Sequence, residues 1–301
     1  MAEAVALGEC MVELSLEGPG EAAIGYAGDT FNTAVYLSRL GVGCDYATAV
    51  GAGDPFSLGI LERMAAEGVG SALVAEAPGR LPGLYAIERD ASGERRFFYW
   101  RDSAPARDYL TLVDRAALVA ALAQARLVYL SAISLAILGE PGRADLLALL
   151  KAAGEAGAGV ALDTNYRARL WPGAPAARAA VEAVAPHCRW ISASAEDLAA
   201  FGVEPRATAA AWAAAGVEVV LRQADRTVEV HLGEACERFD PQTQGQVIDT
   251  TGAGDAFNAA YLAARLRGAP PESAVAEARR LARAVVLHRG AIIPRAAMSA
   301  G

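Results

Sequence analysis

Short apolar runs alternate with longer stretches in which apolar residues return every third or fourth position, and the rhythm holds along almost the whole chain. Val5-Ala6-Leu7-Gly8-Glu9 predicts a first strand. Phe31, Ala34, Leu37 and Leu40 then share a helical face, and Gly41 stands where that helix should end. Tyr46–Val50, Leu127–Ser131, Val160–Asp163, Trp190–Ser192 and Val217–Leu221 read as further strands, with helical stretches such as Pro141–Ala156 and Pro175–Ala185 between them. Strands spaced by helices predict an α/β domain, a parallel sheet covered on both faces. The alanine-rich run Ala207–Ala215 is a strong helix former, and no repeat or Pro/Gly/Ser-rich linker divides the chain. One compact domain over residues 1–301 is therefore expected.

One region breaks the rhythm. Gly83–Arg89 and Glu94–Arg101 flank Asp90-Ala91-Ser92-Gly93, a hairpin pattern with a glycine in the turn. With the strand-like residues of Met11–Tyr26, it predicts a small separate sheet from about 11–27 and 81–103, placed to act as a lid over a ligand site. Composition narrows the field of functions. With 54% hydrophobic residues the chain can bury enough surface to fold, and a net charge of −8 argues against a nucleic-acid partner. Cys10, Cys44, Cys188 and Cys236 lie far apart without a CxxC pair, which points to free thiols in a reducing cytoplasm rather than a disulfide framework or zinc site. No apolar run reaches the length of a membrane span, and Met1-Ala2-Glu3-Ala4 lacks the basic start of a signal peptide.

The chemistry concentrates in Asp249-Thr250-Thr251-Gly252-Ala253-Gly254-Asp255-Ala256-Phe257-Asn258. Glycine allows a tight turn and close approach to a ligand, and Phe257, Ala260, Tyr261 and Ala264 continue as a helix. Gly252–Asp255 would then form a helix N-terminus, whose free N–H groups and positive dipole end attract phosphate oxygens. Asp255 in that first turn is either a catalytic carboxylate or a helix cap. A second Gly-Ala-Gly-Asp, at Gly51–Asp54, runs into Pro55 and is read simply as a cap with proline at the first helical position. Neither segment matches a P-loop, nor does a GxGxxG open a βαβ unit.

Asp249–Phe257 resembles the C-terminal motif of the ribokinase-like (PfkB-type) carbohydrate kinases, and Tyr26-Ala27-Gly28-Asp29-Thr30-Phe31-Asn32-Thr33-Ala34 resembles their N-terminal motif. The likeness spans essentially the whole chain. Gly8–Met11, Leu81–Tyr85, Phe98–Arg101, Leu130–Leu138, Asp163–Trp171 and Arg289–Arg295 narrow it to the branch acting on 2-keto-3-deoxy acid sugars. The resemblance implies a three-layer α/β/α ribokinase-like domain with a small β-sheet lid. It further implies ATP-dependent phosphorylation of 2-keto-3-deoxygluconate at its terminal hydroxyl. Asp255 would be the general base, with the N–H groups of Gly252, Ala253, Gly254 and Asp255 stabilising the transferring phosphoryl group. The acceptor would meet Gly28, Asp29 and Asn32, Tyr85, Tyr99 and Arg101 from the lid, Ile133 by its backbone, and Arg167, the two arginines reading its carboxylate.

By the same resemblance, ATP would meet Ser194, Arg222, Gln223, Ala224, Arg226, Gly252, Gly254 and Arg279, and Mg2+ would reach Glu196 through water. A monovalent cation and a homo-oligomer formed through the exposed lid edge are further properties the resemblance leaves open. Two segments depart from the family. Arg222–Thr227 lacks the glycines of Lys-x-Gly-x-x-Gly, and Ala193-Ser194-Ala195-Glu196 lacks the asparagine of Asn-x-x-Glu. Competing expectations are a related kinase for a neutral sugar or nucleoside, and a sugar-binding relative without turnover.

Overall fold

The computed structural model describes residues 2–18, 20–89, 95–241 and 247–299. Among them, thirteen strands form two sheets. In chain order these are β1 (Ala4–Leu7), β2 (Met11–Gly18), β3 (Glu21–Ala27), β4 (Cys44–Gly51), β5 (Val74–Ala77), β6 (Leu84–Arg89) and β7 (Arg95–Trp100). They continue as β8 (Leu127–Ser131), β9 (Gly159–Asp163), β10 (Trp190–Ser194), β11 (Glu218–Arg222), β12 (Val228–Leu232) and β13 (Ala235–Phe239). The main sheet runs β13-β12-β11-β10-β9-β8-β1-β4-β5, and the small one β3-β2-β6-β7.

Alternation along the strands builds the layers. Val5 and Leu7, Val128 and Leu130, and Val160 and Leu162 enter one core, packed by the helices Arg115–Gln124, Gly139–Glu155, Ala174–Val184 and Pro205–Ala214. Their neighbours Ala4 and Ala6, Leu127 and Tyr129, and Ala161 enter the other, beneath the helices Asp29–Arg39, Pro55–Glu67, Ala253–Leu266 and Pro271–Val286. Because both faces of β8 and β9 are buried, every residue in these strands is buried. The result is an α/β/α sandwich, with helices on both faces of one sheet.

The sheet is parallel from β5 to β11. It is not parallel throughout, as the strand–helix rhythm predicts: β12 and β13 add antiparallel at one edge. A tight turn after β11 makes this reversal. Gln223 N donates to Thr227 O at 2.9 Å, and Arg226 adopts φ 71°, a left-handed conformation uncommon for a residue with a side chain.

In the small sheet, β2 and β3 correspond to the strand-like residues of Met11–Tyr26, and β6 and β7 to the hairpin arms. The turn expected at 90–93 lies outside the described residues. Met11, Tyr85, Ile87 and Tyr99 cluster on one face of this sheet. Tyr85 and Tyr99 are directly opposite across β6 and β7, their rings stacked with centroids 5.6 Å apart.

Asp54 behaves as its sequence context predicts. Its carboxylate accepts from Phe56 N and Ser57 N, both at 3.0 Å, and Pro55 opens the helix. Asp54→Ala should therefore cost about 1 kcal/mol of stability in a urea titration. Asp54→Asn, which keeps an acceptor, should cost less.

Candidate active site

Parallel strands of a doubly covered sheet end in a crevice where ligands gather. Here Ile133 follows β8, Asn165 and Arg167 follow β9, Ser194 and Glu196 end and follow β10, and Arg222 closes β11. All six line one cavity of about 760 Å3. The start of the Asp29–Arg39 helix brings Gly28, Asp29 and Asn32 to it, and the small sheet adds Tyr85 and Tyr99. Gly252, Gly254 and Asp255 complete the wall, together with Gln223 and Ala224.

A second groove, of about 300 Å3, adjoins the first. Arg226, Ala253 and Arg279 line it, and Arg222, Gln223, Thr250 and Gly254 belong to both. The two spaces therefore communicate across the start of the Ala253–Leu266 helix. Gly252 caps that helix at φ 75°, with no side chain capping it. A Cβ on Gly252 would meet Ala291 O at 2.5 Å, so the turn both requires glycine and excludes anything larger. Asp255 sits in the first turn without capping the helix, which removes the bland reading of this residue.

Asp255 is buried, and its Oδ2 accepts from Asn32 Nδ2 at 2.7 Å. Burial pushes its carboxyl well above the ordinary carboxylate range, and the negative charge of Asp29 adds to this, while the Asn32 hydrogen bond opposes it. Asp163 is also buried and is pushed up to about 6, chiefly by burial, with Arg222 opposing. Arg222 Nη2 donates to Asp163 Oδ1 at 3.2 Å, and Asn258 Nδ2 donates to Oδ2 at 2.9 Å. Asn165 Nδ2 donates to Asp29 Oδ2 at 2.8 Å, fixing that carboxylate on the cavity wall. Among the described residues, no group of three or more His, Cys, Asp or Glu side chains is arranged to hold a metal ion.

One expected residue is elsewhere. Arg101 is not on the cavity wall: its buried guanidinium donates to the Glu9 carboxylate, whose charge it balances. Asp163, Asn165 and Arg169 are among the wall residues to which sequence reasoning assigned no role. All lie in the run Asp163–Trp171, whose distinctive spacing could have pointed to them alongside Arg167.

A family model described as pfkB family carbohydrate kinase matches residues 1–297. The chain belongs to the pfkB family of carbohydrate kinases. Among curated members, this pfkB kinase is 39% identical to the 2-dehydro-3-deoxygluconokinase of Dickeya dadantii, over 98% of this chain and 97% of that protein. The Haemophilus influenzae protein of the same name is 33% identical over 97% of this chain and 96% of its own length. Of solved structures, a putative ribokinase II from E. coli in complex with ATP and Mg2+ superposes with a TM-score of 0.85 at 20% identity, covering 100% of this chain and 98% of that one. At that identity the superposition speaks for the fold.

The raised Asp255 pKa has a stability consequence with a defined sign. An unfolded chain ionises this carboxyl near its ordinary value of 3.8, whereas the folded one resists. Below that value both forms are protonated and nothing is lost. As pH rises through it and on toward the folded value, the folded state is progressively destabilised. Asp255→Asn should therefore unfold at a higher temperature than the unsubstituted kinase at pH 7, and the gap should close below pH 4. Equal melting temperatures at pH 7 would contradict the strained carboxylate.

Proposed function

We infer that this kinase transfers the γ-phosphoryl group of ATP to the terminal (6-) hydroxyl of 2-keto-3-deoxygluconate, giving the 6-phosphate and ADP. The observation that carries the reading is one cavity joining a buried carboxylate, at an uncapped helix start, to an arginine without an acidic partner. Asp255 is that carboxylate. Arg167 donates only to Tyr166 O, at 3.2 Å, and forms no ion pair among the described residues. Full-length likeness to proteins named 2-dehydro-3-deoxygluconokinase supports the choice of acceptor.

In this reading the acceptor lies against Gly28, Asp29 and Asn32, with its carboxylate toward Arg167, beneath a lid formed by the small sheet. Asp255 takes the proton of the terminal hydroxyl as its oxygen attacks the γ-phosphorus, and the bond to ADP breaks. Asn32 holds Asp255 in place. The Gly252–Asp255 amides and the helix dipole stabilise charge on the transferring group. ATP occupies the groove of Arg222, Arg226 and Arg279, with its phosphates toward Gly254. The absence of a three-ligand cluster among the described residues fits a Mg2+ that arrives on ATP and meets Glu196 through water, where it would neutralise phosphate charge.

The same reading treats residues 1–301 as one kinase domain. It places the protein in the cytoplasm, supported by four free cysteines, of which Cys10, Cys44 and Cys188 are buried, and by the lack of any described helix long and apolar enough to cross a membrane. The apolar side chains Ile24, Phe98 and Trp100 are exposed on the small sheet and suit pairing with a second copy, which sedimentation would test.

A coupled assay for ADP release is the decisive measurement, with 2-keto-3-deoxygluconate and fructose as alternative acceptors. Asp255→Asn should lower kcat by about 10²–10⁴ with little change in acceptor KM. Arg167→Ala should cost about 30-fold or more in kcat/KM for the acid sugar, the scale expected for one member of a desolvated charge pair. More than half of normal kcat in Asp255→Asn would remove the base, and turnover of fructose in preference to the acid sugar would replace the acceptor.

A further inference from the structure

We propose that Tyr36 is a positioning residue for phosphoryl transfer, holding Ala291 against Gly252 and thereby keeping the Gly252–Asp255 amides in their working geometry. The proposal rests on the anion-binding role given to those amides above and deepens it. Ala291 packs directly on the turn that starts the Ala253–Leu266 helix. Its carbonyl oxygen, Cα and Cβ lie 2.5, 2.7 and 2.8 Å from where a β-carbon on Gly252 would stand. Ala291 also lines the acceptor cavity. Any shift of Ala291 therefore alters the support of the helix start on which the amides sit.

Tyr36 is fully buried and lines neither the acceptor cavity nor the adjoining groove, so it reaches the reaction only through its neighbours. Its hydroxyl donates to Ala291 O at 2.7 Å and accepts from Ile293 N at 3.1 Å, so one oxygen pins both ends of a three-residue segment. Burial pushes the Tyr36 pKa up to about 12, which keeps the hydroxyl protonated at neutral pH. Arg39, one turn further along the same helix, donates to Ile293 O at 2.6 Å, and Glu67 holds its guanidinium with two bonds of 2.7 Å. Ahead of the segment, Gly290 N donates to Asp249 Oδ2 at 3.1 Å, and the other oxygen of Asp249 accepts from Thr251 N at 2.9 Å. The segment is thus tied to the Asp29–Arg39 helix on one side and to the Gly252 turn on the other. Removing the Tyr36 hydroxyl strands Ala291 O and Ile293 N, two buried backbone groups that regain partners only by moving. Fixed amides favour the charge that develops during transfer, and a small misplacement of them weakens the transition state more than substrate binding.

The test compares Tyr36→Phe and Tyr261→Phe with the unsubstituted kinase, using 2-keto-3-deoxygluconate and ATP. Tyr261 is the control: its buried hydroxyl donates to Glu218 Oε1 at 2.6 Å, away from both spaces. Tyr36→Phe should lower kcat about tenfold or more and leave the KM for the acid sugar within about twofold. The factor lost should be the same from about pH 6 to pH 9, since a positioning hydroxyl transfers no proton. Tyr261→Phe should also melt earlier, yet keep kcat within about twofold. Equal losses of kcat in the two variants overturn the proposal, because Tyr36 then serves stability alone. A kcat near normal in Tyr36→Phe, or an effect confined to the acceptor KM, overturns it too. Should Tyr36→Phe not fold, Arg39→Lys, which loosens the bond to Ile293 O, is read in the same way, and an unchanged kcat there overturns the proposal. Failure of the underlying reading looks different: Gly254→Val, which crowds the same amides, would keep full kcat, or the unsubstituted protein would release no ADP with 2-keto-3-deoxygluconate.

Discussion

The hydrogen bond from Asn32 to Asp255 joins residues 223 positions apart, and the geometry of the cavity depends on it. It holds the first turn of the Asp29–Arg39 helix against the first turn of the Ala253–Leu266 helix, both of which pack beneath the same face of the sheet. Thr33 Oγ1 adds a longer bond to Asp255 O, at 3.4 Å. One turn further on, Tyr36 donates to Ala291 O at 2.7 Å and accepts from Ile293 N at 3.1 Å. Ala291 in turn abuts Gly252. A buried carboxylate without such a partner would bear the full cost of desolvation, so the fold supplies the partner from the other end of the chain.

Overall acidity is a poor guide to what happens inside the cavity. The negative charge of Asp29 raises the proton affinity of both Asp163 and Asp255, while Arg167, Arg169 and Arg222 sit along the same wall. Opposite charges are thus segregated rather than fully paired. Arg222 alone bridges the two sets through Asp163, at the point where the two spaces meet. This separation keeps buried carboxyls of raised proton affinity and guanidinium groups within one cavity.

Layering, the parallel strands and the two glycine-aspartate segments were readable from sequence because each depends on local periodicity or a local cap. The β12–β13 edge was not. Val228–Leu232 does alternate apolar and polar residues, yet Glu229 and His231 are buried, and Ala235–Phe239 is largely exposed and shows no alternation. The Glu9 partner of Arg101, 92 residues earlier, was not readable either, because nothing local reveals it. The motif resemblance supplied roles position by position, but only the packed structure shows which charges are already spoken for.

Because the cavity wall joins residues as early as Gly28 to Asp255 near the other end of the chain, the order of synthesis matters. A nascent chain makes β1 and the helix carrying Asn32 early, and these residues must wait for nearly the whole polypeptide before Asn32 finds its acceptor and Tyr36 finds Ala291. Chains cut short before that point keep most of the sheet but lack the floor of the cavity. The parallel sheet can therefore begin to assemble from the amino-terminal side, whereas the site closes only when the last helices dock, making completion of the cavity a late event in folding.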